Sequence, residues 1–401
     1  MFLPTYVVKA LQLLEQNGYI AVVVGGAVRD FLLGKEPSDY DISTSATPNE
    51  TIKVFSDYYV LDFGKKHGTI TVFLDHHQLE ITTFRIESGY EDFRHPNKTQ
   101  FVRSLEQDLQ RRDFTINALC FNRELIDLVN GQKDLEHKII RAIGHPEERF
   151  NEDPLRIMRG LRFAANLGFT IEEKTHQAII NLMPLISRVS KERIHDEMNR
   201  FLMGEASPNI FSKYGKTLMN VISPTIAFDF PTIIKRISVS KGLYAKIAAI
   251  YLDLSLEQAK RELKSLKYSN DEINKITMFW EASRINWHRE NYFLRKLLSI
   301  YAYEDLTNML DFYQNTSLKP LNEQDEVEIQ KRLKTIIENE PCLNITDLAI
   351  NGKQLIALGI PHGKKINLIL HQLLDEIMQE KLTNDEQTLL KRALGLYQER
   401  S

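Results

Sequence analysis

Two aspartates one residue apart, Asp39 and Asp41 in Ser38-Asp39-Tyr40-Asp41-Ile42, follow a glycine pair, Gly25-Gly26, at the end of the apolar run Ala21–Val24. Side chains i and i+2 of a strand point to the same face, so a strand through this stretch projects both carboxylates together as ligands for a hard divalent cation. Mg²⁺ takes one or two carboxylates and completes its shell with substrate phosphates. A glycine pair between a strand and a helix lets backbone N–H groups approach a triphosphate, and the field of the helix N-terminus adds to the attraction. Arg29, just inside that helix, can reach the same phosphates. Taken singly, an Asp-x-Asp fits a solvated loop and a Gly-Gly fits a tight turn. In the order strand, Gly-Gly, helix with Arg29-Asp30, then carboxylates, they read as one unit suited to metal-dependent nucleotidyl transfer.

The elements that must position these groups are strands at Ala21–Val24, Tyr40–Ser43, Thr69–Phe73 and Leu79–Phe84, the last three with β-branched or aromatic content. Asp75-His76-His77-Gln78 reads as the hairpin turn between the last two, since no third metal ligand is spaced near the histidine pair. Glu80 opens the next strand, as a third carboxylate of the site or as an ordinary strand residue. Arg85 to Gln100 is polar, holds Gly and Pro, and reads as a long flexible loop of the kind that tends to be functional. From Phe150 strand signals fade. Leu155-Met158-Leu161-Ala165 and Ile179-Leu182-Ile186 step by three and four, and the remainder reads as mostly helical.

Two further constellations could do chemistry. Arg111 to Leu119 begins charged and turns apolar, either as a helix start facing solvent or with Arg112 on a triphosphate or sugar and Asp113 near a ribose hydroxyl. In Glu152-Asp153-Pro154-Leu155-Arg156, Pro154 suits the first turn of a helix and Asp153 its N-terminus. Asp153 and Arg156, three apart, can also lie side by side as an acceptor beside a donor. That pattern matches cytosine and adenine and refuses guanine and uracil, because a mismatch leaves buried polar groups unpaired. Arg159 and Arg162 continue the three-residue steps. A helix turns about 100° per residue, so Arg162 points away from Asp153 and all four cannot read one base edge.

At 401 residues the chain suggests two or more domains. With 43% hydrophobic and 26% charged residues it reads as soluble and globular, and no apolar stretch approaches a membrane span. Met1 to Ile20 reads as a first amphipathic helix rather than a signal peptide. Cys120 and Cys342, far apart, make neither a zinc site nor a disulfide framework, which fits a reducing cytoplasm. A net charge of −3 shows no basic surplus for nucleic acid. Local charge could come from Arg103, Arg111, Arg112, Arg141, Arg149, Arg156, Arg159 and Arg162, which otherwise read as solvated helix faces.

With these groups in hand, the sequence resembles the bacterial class II tRNA nucleotidyltransferases, the CCA-adding enzymes of the poly(A) polymerase superfamily. The matching motifs are Gly25 to Asp30 with Asp39-x-Asp41, Arg111 to Ala118, and Glu152-Asp153-x-x-Arg156. Glu192-Arg193-Ile194 with Glu197, and Asp347 to Gly352 with Gly359 and Gly363, are also similar. The resemblance implies an α+β, palm-like nucleotidyltransferase head over residues 1–140, then an all-α neck (141–205), body (206–310) and tail (311–401) in a seahorse-like shape. It implies Mg²⁺ on the catalytic Asp39 and Asp41, and Gly26, Arg29 and Arg112 on the phosphates or sugar of ATP or CTP. Asp153 and Arg156 would read the base, with Arg159 and Arg162 completing the pocket. The segment after Glu80, including Glu91-Asp92-Phe93-Arg94, matches the family's flexible loop, needed there for the switch from C to A addition. The implied partner is tRNA in the cytoplasm, with no DNA and no membrane, and the resemblance alone suggests a homodimer. The rivals are a poly(A) polymerase, a partial CC- or A-adding enzyme, and a non-catalytic tRNA-binding protein. His195-Asp196 reads as surface helix rather than a phosphohydrolase motif, and Lys364 and Lys365 as a solvated helix start or a phosphate contact.

Overall fold

The computed structural model describes residues 1–90, 96–317, 319–339 and 342–399, so Glu91-Asp92-Phe93-Arg94 lie outside the described residues. The chain divides into two compact units, Met1–Ser238 with Arg261–Ser269, and Val239–Lys260 with Asn270–Ser401.

The first unit opens with α1 (Thr5–Gln16), β1 (Ala21–Val24), α2 (Gly26–Leu32), β2 (Asp41–Thr44), α3 (Pro48–Val54), β3 (Tyr59–Leu61), β4 (Thr69–Leu74) and β5 (His77–Thr83). There follow β6 (Arg85–Tyr90), β7 (Pro96–Phe101), α4 (Leu105–Gln110), β8 (Cys120–Asn122), β9 (Glu124–Ile126) and α5 (Gly131–Glu136). Among the described residues the main sheet has seven strands in the order β3-β4-β5-β2-β1-β8-β9. β1 lies inside the sheet and all four of its residues are buried, which is why it reads as a continuous apolar run rather than an alternation. β4 and β5 alternate: Ile70, Val72, Leu74, Leu79 and Ile81 point inward. Asp75 and His76, with φ of 49° and 67°, form the two-residue turn between them, so His76 is a turn residue and His77 is the first residue of β5. His77 stacks on Tyr6 of α1 at 4.1 Å.

Two expectations change here. β2 begins at Asp41, after Pro37 and a bend at Ser38, so Asp39 precedes the strand and the alternation rule does not reach it. The stretch expected to be a loop carries β6 and β7, which pair antiparallel from Arg85↔Phe101 to Tyr90↔Pro96 as a separate two-stranded ribbon. A ribbon outside the main sheet need not show the alternating apolar face of a core strand, so Gly89 and Pro96 read as breakers.

Helices then take over: α6 (Pro146–Glu152), α7 (Leu155–Leu167), α8 (Glu173–Leu182), α9 (Lys191–Leu202) and α10 (Ser207–Ile222), with a short parallel pairing of Ile139–Ile140, before α6, to Thr170–Ile171, after α7. α7 buries Ile157, Met158, Leu161, Ala164 and Ala165 and packs on α9. Gly160 lets Phe114 reach the helix: a Cβ there would sit 2.9 Å from the Phe114 ring. The second unit is helical and centres on residues such as Leu294, Leu306, Met309, Leu333, Leu373 and Leu389, all buried. Among the described residues no helix is long and apolar enough to cross a membrane, and both cysteines are free.

Candidate active site

β1 ends in a turn that only glycine adopts without strain. Gly25 has φ 81° and ψ −128°, and its N–H donates to the Leu119 carbonyl at 3.1 Å. A Cβ on Gly25 would lie 3.7 Å from the Asn117 carbonyl oxygen and 4.0 Å from Nη1 of Arg112, and one on Gly26 would lie 3.7 Å from Nη2 of Arg29. Both arginines therefore border the glycine turn. Arg29 is held by Asp30 (Nη2 to Oδ1, 2.7 Å) and by Asn117 (Nη1 to Oδ1, 2.7 Å).

Asp41 pairs in register with Val24 on one side and with Glu80 on the other. Burial raises the Asp41 pKa, the Glu80 charge raises it further, Arg112 opposes this, and Asp39 adds a smaller push upward. Asp39 itself is exposed, and its Oδ2 accepts from Ser38 Oγ at 3.2 Å. Among the described residues no group of three or more His, Cys, Asp or Glu side chains is gathered to hold an ion. Glu80 is a neighbouring charge of Asp41. Repulsion among Asp41, Glu80 and Asp39 is what a bound cation would relieve. Two carboxylates also match an ion that draws its other ligands from substrate phosphates.

Arg112 stands over β2. Its Nη2 donates to Ser43 Oγ at 3.0 Å and to Asp108 Oδ2 at 3.1 Å, while Nε is buried with no hydrogen-bond partner. Asp113 is not open to a ribose. Its Oδ1 accepts from the Phe114 amide at 2.8 Å and its Oδ2 pairs with Arg159 at 2.6 Å. Burial alone would raise the Asp113 pKa, yet Arg159 and Arg156 hold its carboxyl below the usual range. The segment after it is a buried 3₁₀ turn, Thr115–Asn117, and not a helix facing solvent.

Asp153 occupies the joint between α6 and α7 in extended conformation (φ −141°, ψ 100°). Its Oδ1 accepts from the Leu155 amide at 3.1 Å, and Arg193 of α9 grips both oxygens at 3.2 and 2.7 Å. Arg156 donates to Glu152 at 2.7 Å and to the Arg111 carbonyl at 3.1 Å. The two do not pair with each other. Helical three-residue spacing brings side chains together only when both residues are helical, and Asp153 lies outside α7. Arg159, Arg162 (on Glu197 at 2.6 Å) and Arg29 instead converge on the Phe163 ring, at 5.5, 4.1 and 5.5 Å from its centroid.

None of the eight arginines read as a basic patch is a solvated helix face. Arg103 pairs with Glu50, Arg111 and Arg112 with Asp108, Arg141 with Asp134, and Arg149 and Arg156 with Glu152, beside the two pairs already described. His195 is half-buried, stacked on Tyr268 at 4.1 Å, and not simply surface helix. Sequence reasoning missed Phe163, which looks like any apolar helix residue, and Asn117, which lies 88 positions from Arg29. It also missed Asp108, for which the spacing Asp-x-x-Arg-Arg was an available signal.

Residues 21–141 match the Poly A polymerase head domain, residues 168–227 the probable RNA and SrmB-binding site of polymerase A, and residues 243–393 the putative tRNA nucleotidyltransferase domain 2. The chain is 35% identical to a CCA-adding enzyme of Lactobacillus delbrueckii subsp. bulgaricus over 95% of both chains. It is 35% identical to one of Enterococcus faecalis over 95% of this chain and 93% of the other. In three dimensions it resembles the Bacillus stearothermophilus CCA-adding enzyme, solved in complex with CTP, with TM-score 0.83 and 28% identity over 98% of both chains. A Thermotoga maritima CCA-adding enzyme, solved with tRNA, shares the fold at TM-score 0.68 and 22% identity, over 98% of this chain and 96% of that one. Similarity that spans head and helices alike, at this level of identity, places the chain in the CCA-adding enzyme family.

Proposed function

We propose that the protein adds and repairs the 3′-terminal CCA of tRNA, using CTP and ATP, releasing pyrophosphate and needing no nucleic-acid template. The observation that carries this reading is the 35% identity to CCA-adding enzymes along 95% of the chain. The site is consistent with it. Asp39 and Asp41 would hold Mg²⁺, which when bound activates the tRNA 3′-hydroxyl and neutralises the triphosphate. Arg29 and Arg112, bordering the Gly25-Gly26 turn, meet the phosphates or sugar of the incoming nucleotide. Asp153 accepts from the exocyclic amine of cytosine or adenine, and Arg156 donates to the adjacent ring nitrogen. Arg193 fixes the Asp153 carboxylate and Glu152 fixes the Arg156 guanidinium, so the reading pair is held in place by its surroundings. Arg159 and Arg162 complete the pocket around Phe163. The reading includes a head at 1–140, neck at 141–205, body at 206–310 and tail at 311–401, the helical remainder taking the tRNA largely by shape and backbone. It also includes a cytoplasmic location.

The head-domain match bears the name of poly(A) polymerase, which makes that enzyme the second reading. Both are tested by incubating the protein with Mg²⁺ and a tRNA transcript that ends at the discriminator base, offering each nucleotide alone and in mixtures. CCA addition is expected to stop after two Cs with CTP and after one further A with both nucleotides. Long A tracts would make the protein a poly(A) polymerase, a stop short of the final A would make it a CC-adding enzyme, and binding without extension would leave it non-catalytic.

A further inference from the structure

Asp108 is a fully buried carboxylate in α4 with 0% exposure, and the transfer chemistry described above does not use it. It accepts from four donors of three residues. Oδ1 takes the amide of Arg85, the first residue of the β6–β7 ribbon, at 3.3 Å, and Arg111 through Nε at 2.9 Å and Nη2 at 2.7 Å. Oδ2 takes Nη2 of Arg112 at 3.1 Å. A buried carboxylate engaged this fully is rigid, because each donor lost would leave a desolvated charge short of a partner. Nη2 of Arg112 is therefore clamped between Asp108 and Ser43 Oγ. A planar guanidinium fixed at one terminal nitrogen has its other one aimed, and Nη1 lies on the side of the Gly25 turn.

We propose that Asp108 is a positioning residue of the transfer reaction, setting the orientation in which Arg112 meets the incoming nucleotide. The proposal rests on the CCA-adding reading of the site. Arg112 is assigned there to phosphate or sugar, common to both substrates, so Asp108 affects CTP and ATP alike and does not affect tRNA. Asp108→Asn removes the charged acceptor at Arg112. Asp108→Glu keeps the counter-charge of the arginine pair but moves its anchor point, and so serves where the amide variant fails to fold.

The test measures kcat and KM for CTP, ATP and tRNA, and the CTP dissociation constant by equilibrium titration. It uses each Asp108 variant that keeps the wild-type circular dichroism spectrum, with and without Arg112→Lys. Loss of one charge-assisted hydrogen bond predicts a rise of ~10- to 100-fold in the KM for both nucleotides, with the tRNA KM unchanged. In the Arg112→Lys background the Asp108 change should add less than about 3-fold, since the two residues act as one unit. A folded Asp108 variant with wild-type nucleotide KM would overturn the proposal. So would effects that multiply in the double variant, or a change confined to one nucleotide. Failure of the CCA-adding reading looks different: the wild-type protein itself then incorporates nothing, while CTP titration still reports whether Asp108 acts through Arg112.

Discussion

Asp41 sits among charges of both signs, with Glu80 in register beside it and raising its pKa and the Arg112 guanidinium lowering it. Its raised pKa has a direct consequence for activity. In the proposed metal site ligation needs the ionised carboxylate, so protons compete with Mg²⁺, and the Mg²⁺ concentration that gives half-maximal incorporation should rise as the pH falls. Mg²⁺ titrations of CTP incorporation at several pH values check this, and a requirement for Mg²⁺ that does not change with pH would contradict it. Asp39 is exposed and, among the described residues, hydrogen-bonded to Ser38 alone, so its removal is expected to leave the fold unchanged. Asp39→Ala should reduce CTP incorporation by more than ~100-fold, at least the effect of disturbing a metal's outer shell, with an unchanged melting temperature. Retained activity would remove Asp39 from the metal site.

Among the elements, α3 and the exit of the ribbon share one carboxylate. Glu50 accepts from the Thr47 amide at 2.7 Å in a capping box and pairs with Arg103, two residues beyond β7, at 2.8 Å. The Arg103 bond and the Thr47 cap hold the Glu50 pKa down to about 2. A depressed carboxylate contributes stability above its unfolded pKa, and that stability is lost as the pH falls through the folded value. Glu50→Gln should therefore cost about 1 kcal/mol at neutral pH, a difference that shrinks from about pH 4.5 downward and vanishes near pH 2. Chemical denaturation across that range measures it. Where α7 meets the head, Gly160→Ala should destabilise by about 1–3 kcal/mol through overpacking against Phe114, which a denaturation midpoint tests; an unchanged midpoint would mean the ring shifts freely.

The same elements show what the sequence discloses. β1 was legible because a strand inside a sheet is apolar throughout, and the Gly25 turn because a positive φ selects glycine. The arrangement of Asp153 and Arg156 was not legible. Asp153 is held by Arg193, 40 positions away, and no local spacing rule contains that partner. The ribbon escaped because its pairing is made by backbone, for which Gly89 and Pro96 are poor signals.

At the level of the whole molecule, helical periodicity announced the class of the second half but not how its segments group. Arg261–Ser269 belongs with the first unit, tied there by contacts such as Tyr268 Oη to Asn199 Oδ1 at 2.6 Å. Periodicity carries no information about such long-range contacts. What the molecule as a whole is proposed to do is write a fixed sequence without reading a nucleic acid, with two side chains in the place of a template. Sequencing the products of the double variant Asp153→Arg, Arg156→Asp, given tRNA and all four nucleotides, tests that claim most directly. The account predicts a shift from C and A towards G and U, because the acceptor and donor have changed places; extension that continues to choose C and A would contradict it.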